Sequence, residues 1–319
     1  MAVYTNIDED DLAALLADFD LGAPLSCKGI AEGVENSNYL LETEAGRFIL
    51  TLYERRVRAD DLPYFLDLMQ WLAARGFPCP TPMADRQGEM MKTVRGRPAA
   101  LVTFLTGVSV QHPTAEHCRQ AGEGLARLHL AGDGFPHRRE NSLGQHTWAA
   151  MFGAAEATTA DTLRPGLSAR ISGDLRDLAQ AWPTGLPTGP IHADLFPDNV
   201  FFVGERFSAA IDFYFACDDA LAYDLAVCLN AWAFDGDGRF APDRAQAMIQ
   251  GYETLRPLSD QERASLPILA RGAAMRFFLT RLIDWTATPP GALVRPKDPL
   301  EYAAKLDFFR ALPKDGGLV

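Results

Sequence analysis

This sequence predicts an α+β fold in two lobes, a small antiparallel-sheet N-terminal lobe and a larger, mostly helical C-terminal one. Short apolar runs punctuated by turn residues fill roughly residues 20–105. After Gly107 the apolar spacing becomes helical and stays so over six segments. The stretch Gly189–Ala226, dense in carboxylates, interrupts those helices. The boundary therefore falls after residue 105, giving lobes 1–105 and 106–319 with a ligand cleft expected at their junction.

Taken in order, Asp8 precedes an acidic first turn and the helically spaced Leu12, Leu15, Leu16 and Phe19, with Gly22 as the stop. The runs LSCKGIAE, NYLLETE and GRFILTLYE read as strands, the last two joined through Glu44-Ala45-Gly46. Leu62, Phe65, Leu66, Met69 and Leu72 set a helix over 60–75, ended by Gly76. FPCPTP cannot continue a helix, because its prolines remove donors and restrict their predecessors. RPAALVTFLTG is the last strand of the lobe. Helices follow over 114–132, 164–182, 218–234, 243–255, 259–286 and 298–311, with a strand pair at Val200–Val203 and Phe207–Ile211.

The composition, 48% hydrophobic and 23% charged, is that of a globular chain with a sizeable core. A net charge of −12 argues against nucleic acid or an anionic membrane as the main partner. No uncharged apolar run approaches the ~18 residues of a membrane span, and the acidic N-terminus is not a signal peptide. Five cysteines without a C-x-x-C pair argue against a zinc site or disulfide framework, so a cytoplasmic setting is expected. Cys27 and Cys217 are read as buried, inert thiols.

The chemistry concentrates in HADLFPDN and the aspartate after FSAAI. Asp194 and Asn199 stand five positions apart, a loop spacing that can aim both side chains into one pocket. Asp212 follows a short apolar strand. A carboxylate and an amide oxygen are hard ligands suited to Mg²⁺, and a second carboxylate can take the proton of an attacking hydroxyl. Those are the parts that phosphoryl transfer requires. H-x-D-x-x-x-x-N followed by D-F in this order matches kinase catalytic-loop and metal-loop signatures. His192 reads as a structural hydrogen-bonding residue, Asp198 as solvated or capping, and Asp224 as a support for the loop.

On these residues the chain resembles the aminoglycoside-phosphotransferase-like kinases, over nearly its whole length. GVENSNYLLET is similar to the family's nucleotide-covering turn, LVTFLTG to its hinge, and GEGLARLHLAG to the helix that follows. The resemblance implies a protein-kinase-like fold, ATP and Mg²⁺, and a small hydroxylated acceptor. It makes Asp194 the general base and Asn199 and Asp212 the metal ligands. Asn36, Ser37 and Asn38 would cover the phosphates, and the backbone at Thr103, Phe104 and Leu105 would meet adenine. In one respect the chain departs from the pattern: the phosphate-binding lysine position is Thr51, and its helix partner falls at Phe65. Arg47, Arg55 and Arg56 are the substitutes within reach.

Four segments (KGIAEGVENSNYLL, HADLFPDNVFF, IDFYFACDDALAYDLAVCLNAW and RGAAMRFFLTRLIDW with PPGALVRPKDPLEY) resemble a subgroup whose acceptor is an amino acid with a side-chain hydroxyl. Such an acceptor calls for a cation and a hydrogen-bond acceptor. Arg276, Arg281 and Asp284 on one apolar helix, with Tyr214 and Asp218 after the metal loop, are the candidates. Arg276 is equally explained by an ion pair with Asp284 or with the loop carboxylates. Rival readings are a kinase of choline, an aminoglycoside or another small alcohol or amine, a nucleotide-binding module without catalysis, and a metal-dependent hydrolase using His192, Asp194 and Asp212.

Overall fold

A computed structural model describes residues 4–30, 36–54, 58–155, 157–288, 296–313 and 318. The chain divides into two compact units, one of residues 1–108, 134–137 and 208–214, the other of 109–133, 138–207 and 215–319.

In the first unit β1 (Pro24–Gly29), β2 (Ser37–Thr43), β3 (Gly46–Leu52), β4 (Lys92–Val94) and β5 (Arg97–Thr103) form one antiparallel sheet in the order β1-β2-β3-β5-β4. Burial alternates at every position of β2, as a strand with one covered face requires. The β2–β3 turn closes at Thr43 opposite Gly46, whose φ of 139° suits a residue without Cβ.

Helix α1 (Glu9–Leu16) carries a capping box between Asp8 and Asp11 and lays Leu12, Leu15 and Leu16 onto Leu41, Leu50 and Leu101 of the sheet. The helix ends at Ala17, five residues before Gly22, and Phe19 enters the core from the turn beyond it. Helix α2 (Leu62–Ala74) buries Leu62, Phe65, Leu66, Met69 and Leu72, the set its spacing predicts.

The second unit holds α3 (Ala115–Gly132), α4 (Trp148–Ala154), α5 (Ala157–Leu163), α6 (Leu167–Ala181), α7 (Leu221–Trp232), α8 (Pro242–Glu253), α9 (Asp260–Ala287) and α10 (Pro299–Ala311). Thr114 and Ser259 cap α3 and α9. Glycines set how closely α3 and α8 approach: a Cβ on Gly122 would lie 2.1 Å from the Met248 carbonyl, and one on Gly251 2.0 Å from that of Arg119. Strand β6 (Thr188–Ile191) pairs antiparallel with β9 (Cys217–Ala220). The expected hairpin is β7 (Val200–Val203) with β8 (Arg206–Ala210).

Five elements escape the sequence reading. β4 and the β6–β9 pair are too short for alternation to register, and residues 218–220, expected as the start of a helix, belong to β9. Helices α4 and α5, seven residues each, are below the length at which helical period is legible. No helix among the described residues is long and apolar enough to cross a membrane. All five cysteines are free thiols.

Candidate active site

Where β6 ends, the chain turns through His192 and Ala193 into Asp194. Ala193 has a φ of 62°, an uncommon conformation for a residue with a Cβ, so surrounding bonds must hold it. They come from three directions within the second unit.

Below the loop, the fully buried Asp224 on α7 accepts the His192 N–H at 2.7 Å and the Ala193 N–H at 2.8 Å, one on each oxygen. Beside it, Arg276 of α9 donates through Nη1 to the Ala193 carbonyl at 2.7 Å. Ahead of it, Asn199 donates Nδ2 to the Asp194 carbonyl at 2.9 Å and approaches Asp194 Oδ2 at 3.4 Å. Trp232 Nε1 fixes the next carbonyl, Leu195, at 2.8 Å. Hydrogen bonds to charged groups stabilise by roughly 1.5–3 kcal/mol each, enough together to outweigh ~1–3 kcal/mol of backbone strain.

Asp224 is itself held from behind. His129 on α3 meets its Oδ2 at 3.1 Å, and the other His129 nitrogen meets the Tyr252 hydroxyl at 2.8 Å. Arg256 donates to Tyr252 at 3.0 Å and to Glu262 at 2.7 Å, and Glu262 completes the Ser259 capping box. Burial pushes the Asp224 carboxyl up, but the bond and charge of His129, the field of His192 and the backbone donor of His192 outweigh it, leaving it below the ordinary range. Since an ionised carboxylate only accepts, His129 Nε2 carries the proton between them. His129, Tyr252, Arg256 and Glu262 were not singled out from the sequence. The one signal was a histidine on an otherwise apolar face of α3, which taken alone reads as core.

Asp194 stays partly accessible. Its side chain keeps a fifth of its surface exposed, and the nearest cation, Arg276 Nη1, stands 3.6 Å from Oδ1. Burial raises its carboxyl above the ordinary value; the charges of Arg276, His192 and Lys297 pull it partly back. Asn199 spends its amide nitrogen on the loop, so the oxygen is the end left for a hard cation.

Asp212 belongs to the first unit, two residues past β8, with a φ of 65°. Its charge acts on the buried pair Tyr53 and Tyr214, whose hydroxyls lie 3.1 Å apart. Burial, first of all, raises Tyr214 to about 12. In the same unit Thr51 is buried and donates to Asn38 Oδ1 at 2.8 Å, and Phe65 is buried edge-on to Tyr214. Thr51 and Phe65, the residues expected at the lysine and glutamate positions, therefore belong to a neutral cluster. Arg47 sits 3.6 Å from Glu42 at the exposed strand edge; Arg55 and Arg56 lie outside the described residues.

Ser37 corrects an expectation. It is fully buried: its hydroxyl donates to Glu54 at 2.7 Å and accepts the Tyr4 and Thr5 N–H groups at 2.8 and 3.1 Å, so that hydroxyl is already spent inside the unit. Asn36 is nearly as buried, with Oδ1 3.4 Å from the Glu54 nitrogen. The Gly33, Val34 and Glu35 part of that turn lies outside the described residues. At the hinge, the Thr103 and Phe104 N–H groups donate to Thr81 and Arg47, and Phe104 is two-fifths exposed.

The remaining candidates are engaged elsewhere. Arg281 donates to the Asp298 carbonyl at 3.0 Å and to Glu301 at 2.6 Å. Asp218 accepts from Arg138 and from the Arg139 N–H. Tyr214 faces Tyr53 in the first unit. Asp284 sits near the end of α9, where its backbone carbonyl accepts from Thr288; that bond leaves the place of its carboxylate open. Of the acceptor candidates in the second unit, Arg276 lies beside Asp194.

Comparison with known proteins shows the family and the fold. A family model described as "Phosphotransferase enzyme family" matches residues 26–258. A homoserine kinase of Phenylobacterium zucineum is 66% identical over 98% of this chain and 97% of its own length. One from Rhodospirillum rubrum is 59% identical over 99% and 98%. Among solved structures, an amicoumacin kinase in complex with AMP-PNP, Ca²⁺ and Ami superposes with a TM-score of 0.70 at 16% identity, covering 95% of this chain and 92% of that one. A choline kinase from Cryptosporidium parvum gives 0.67 at 12%, covering 95% and 94%. These two share the fold.

Proposed function

We infer the chemistry from kinship and site together: the chain belongs to the phosphotransferase enzyme family, and it acts as an ATP-dependent kinase of L-homoserine, making O-phospho-L-homoserine for threonine biosynthesis. The observation that carries the reading is Asp194, ionisable, a fifth exposed and fixed on three sides, at the place where the family keeps its base.

In this reading the homoserine hydroxyl gives its proton to Asp194 as its oxygen bonds the γ-phosphorus of ATP, and the bond to the β-phosphate oxygen breaks. Asn199 and Asp212 are the residues that would hold Mg²⁺. The donor chemistry fits, being oxygen only. Among the described residues no three His, Cys, Asp or Glu groups cluster into a cage, which suits an ion that keeps waters and borrows phosphate oxygens. Mg²⁺, when bound, neutralises charge on those oxygens. Arg276 holds the base loop, and its field favours the ionised carboxylate.

With Ser37 committed to the core, Asn36 and Asn38 shape the phosphate turn, and its contact with phosphate is assigned to backbone N–H groups. At the hinge, Leu105 supplies the N–H for adenine, because those of Thr103 and Phe104 are already spent. Five free thiols are consistent with a reducing cytoplasm.

The test is ADP release across homoserine, choline, serine and kanamycin. Turnover with homoserine at least about a hundredfold above the other three is expected; a preference for choline or kanamycin would overturn the acceptor assignment.

A further inference from the structure

We propose that Phe196 and Phe215 form an apolar wall beside Asp194, on which the methylene chain of the acceptor packs in place of water. The proposal rests on the homoserine-kinase reading and adds two specificity residues to it.

Arg276, which stands 3.6 Å from the Asp194 carboxylate, ties both rings to that carboxylate. Its guanidinium lies 4.0 Å from the centre of the Phe277 ring and 5.3 Å from that of Phe215, inside the range of a cation–π contact. Phe215 is therefore one side chain away from Asp194. Phe196 comes from the loop of Asp194 itself. Its N–H donates to the Asp194 carbonyl at 2.8 Å, and its ring meets that of Phe277 edge-on at 4.9 Å.

The three rings are not equally covered. Phe277 is buried, with Tyr302 stacked on it at 5.2 Å and the Arg276 guanidinium over it. Phe196 and Phe215 each keep part of their surface accessible, as Asp194 does. A carboxylate open to a ligand, with partly open aromatic rings around it, has the make-up of a small-molecule pocket: apolar sides and few polar contact points.

The acceptor matches that pattern. Homoserine has two methylenes between its hydroxyl and its α-carbon, and one methylene against an apolar wall is worth about 10–200-fold in discrimination. Water has none to offer. Where water takes the acceptor's place, it gives a proton to Asp194 as its oxygen bonds the γ-phosphorus. The bond to the β-phosphate oxygen then breaks, and ATP is lost as ADP and inorganic phosphate. A wall covered by the acceptor's chain keeps that water out.

The experiment measures how ADP release at saturating homoserine divides between phosphohomoserine and inorganic phosphate, in Phe196→Ala, Phe215→Ala, Phe196→Leu and Phe215→Leu. Each alanine variant should raise the share of inorganic phosphate by about tenfold or more. Each should also narrow the kcat/KM ratio of homoserine to serine, which is one methylene shorter, by a similar factor. The leucine variants, still apolar, should keep both values within about threefold of the parent. For an alanine variant that does not fold, Phe196→Val or Phe215→Val carries the same prediction. Alanine variants that lose rate while both values stay within about threefold of the parent would show that the rings only support Arg276 and the loop, and would overturn the proposal. A parent enzyme that does not turn over homoserine would instead overturn the functional reading beneath it.

Discussion

At the scale of single residues, the most informative is Arg276. A buried arginine between Met275 and Phe277 on an apolar helix is legible in sequence as a residue with a purpose, yet sequence leaves substrate binding and an ion pair equally open. The structure shows the guanidinium on the carbonyl of a residue with positive φ, beside Asp194. Arg276→Met is therefore expected to lower kcat by about 10–100-fold with little change in the KM for ATP, since it removes loop geometry and not nucleotide contacts. An ADP-release assay over ATP and homoserine separates the two constants; a change confined to the KM for ATP would contradict the assignment. Ser37 is the opposite lesson. A serine in a turn looks available, and nothing in ENSN tells that its hydroxyl points inward to Glu54 and the N-terminal segment. Ser37→Ala is expected to destabilise the first unit by about 1–3 kcal/mol, seen as a lower unfolding midpoint in urea. Unchanged stability with a raised KM for ATP would return Ser37 to the phosphates.

At the scale of elements, the base loop depends on α3, α7 and α8 through the chain His129, Asp224 and Tyr252. Asp224 has a carboxyl lowered on folding, so its stabilising contribution is complete above the unfolded carboxylate range and is lost as pH falls through the lowered folded value. Asp224→Asn leaves one backbone donor without an acceptor and should cost about 3–5 kcal/mol. It should also flatten the acid side of the stability profile, as urea unfolding between pH 3 and 7 would reveal. If the variant is as stable as the parent, the network is not what holds the loop. Long helices such as α3 and α9 were legible because their apolar period runs over many turns, and the structure adds the caps Thr114 and Ser259. The β6–β9 pair was not, because Thr-Gly-Pro-Ile and Cys-Asp-Asp-Ala carry no alternation and their pairing is set by residues distant in sequence.

For the molecule as a whole, the two-lobe order of a small sheet and then helices was readable from the change of apolar period after Gly107. Asp194, Asn199 and Asp212 are proposed for the site from a linear motif, the kinase-like order of HADLFPDN and then D-F. What tertiary contacts alone decide was not readable: which arginine meets which carbonyl, and which hydroxyl is already spent. The neutral cluster of Thr51, Asn38, Phe65, Tyr53 and Tyr214 is such a case, since sequence shows only that the lysine is missing. With no lysine there, the whole enzyme should depend heavily on its metal. Excess EDTA should reduce turnover to background and added Mg²⁺ should restore it; full activity in EDTA would contradict the reading.

The central claim is that Asp194 takes the proton of the acceptor hydroxyl. The direct measurement is Asp194→Asn, near-isosteric and unable to accept that proton, assayed for single-turnover phosphorylation of homoserine alongside the Kd for Mg-ATP. The account predicts a loss of roughly 10²–10⁴-fold in the rate of phosphoryl transfer, with the Kd within about threefold of the parent. A rate reduced by less than about threefold would contradict it and remove Asp194 from the role of base.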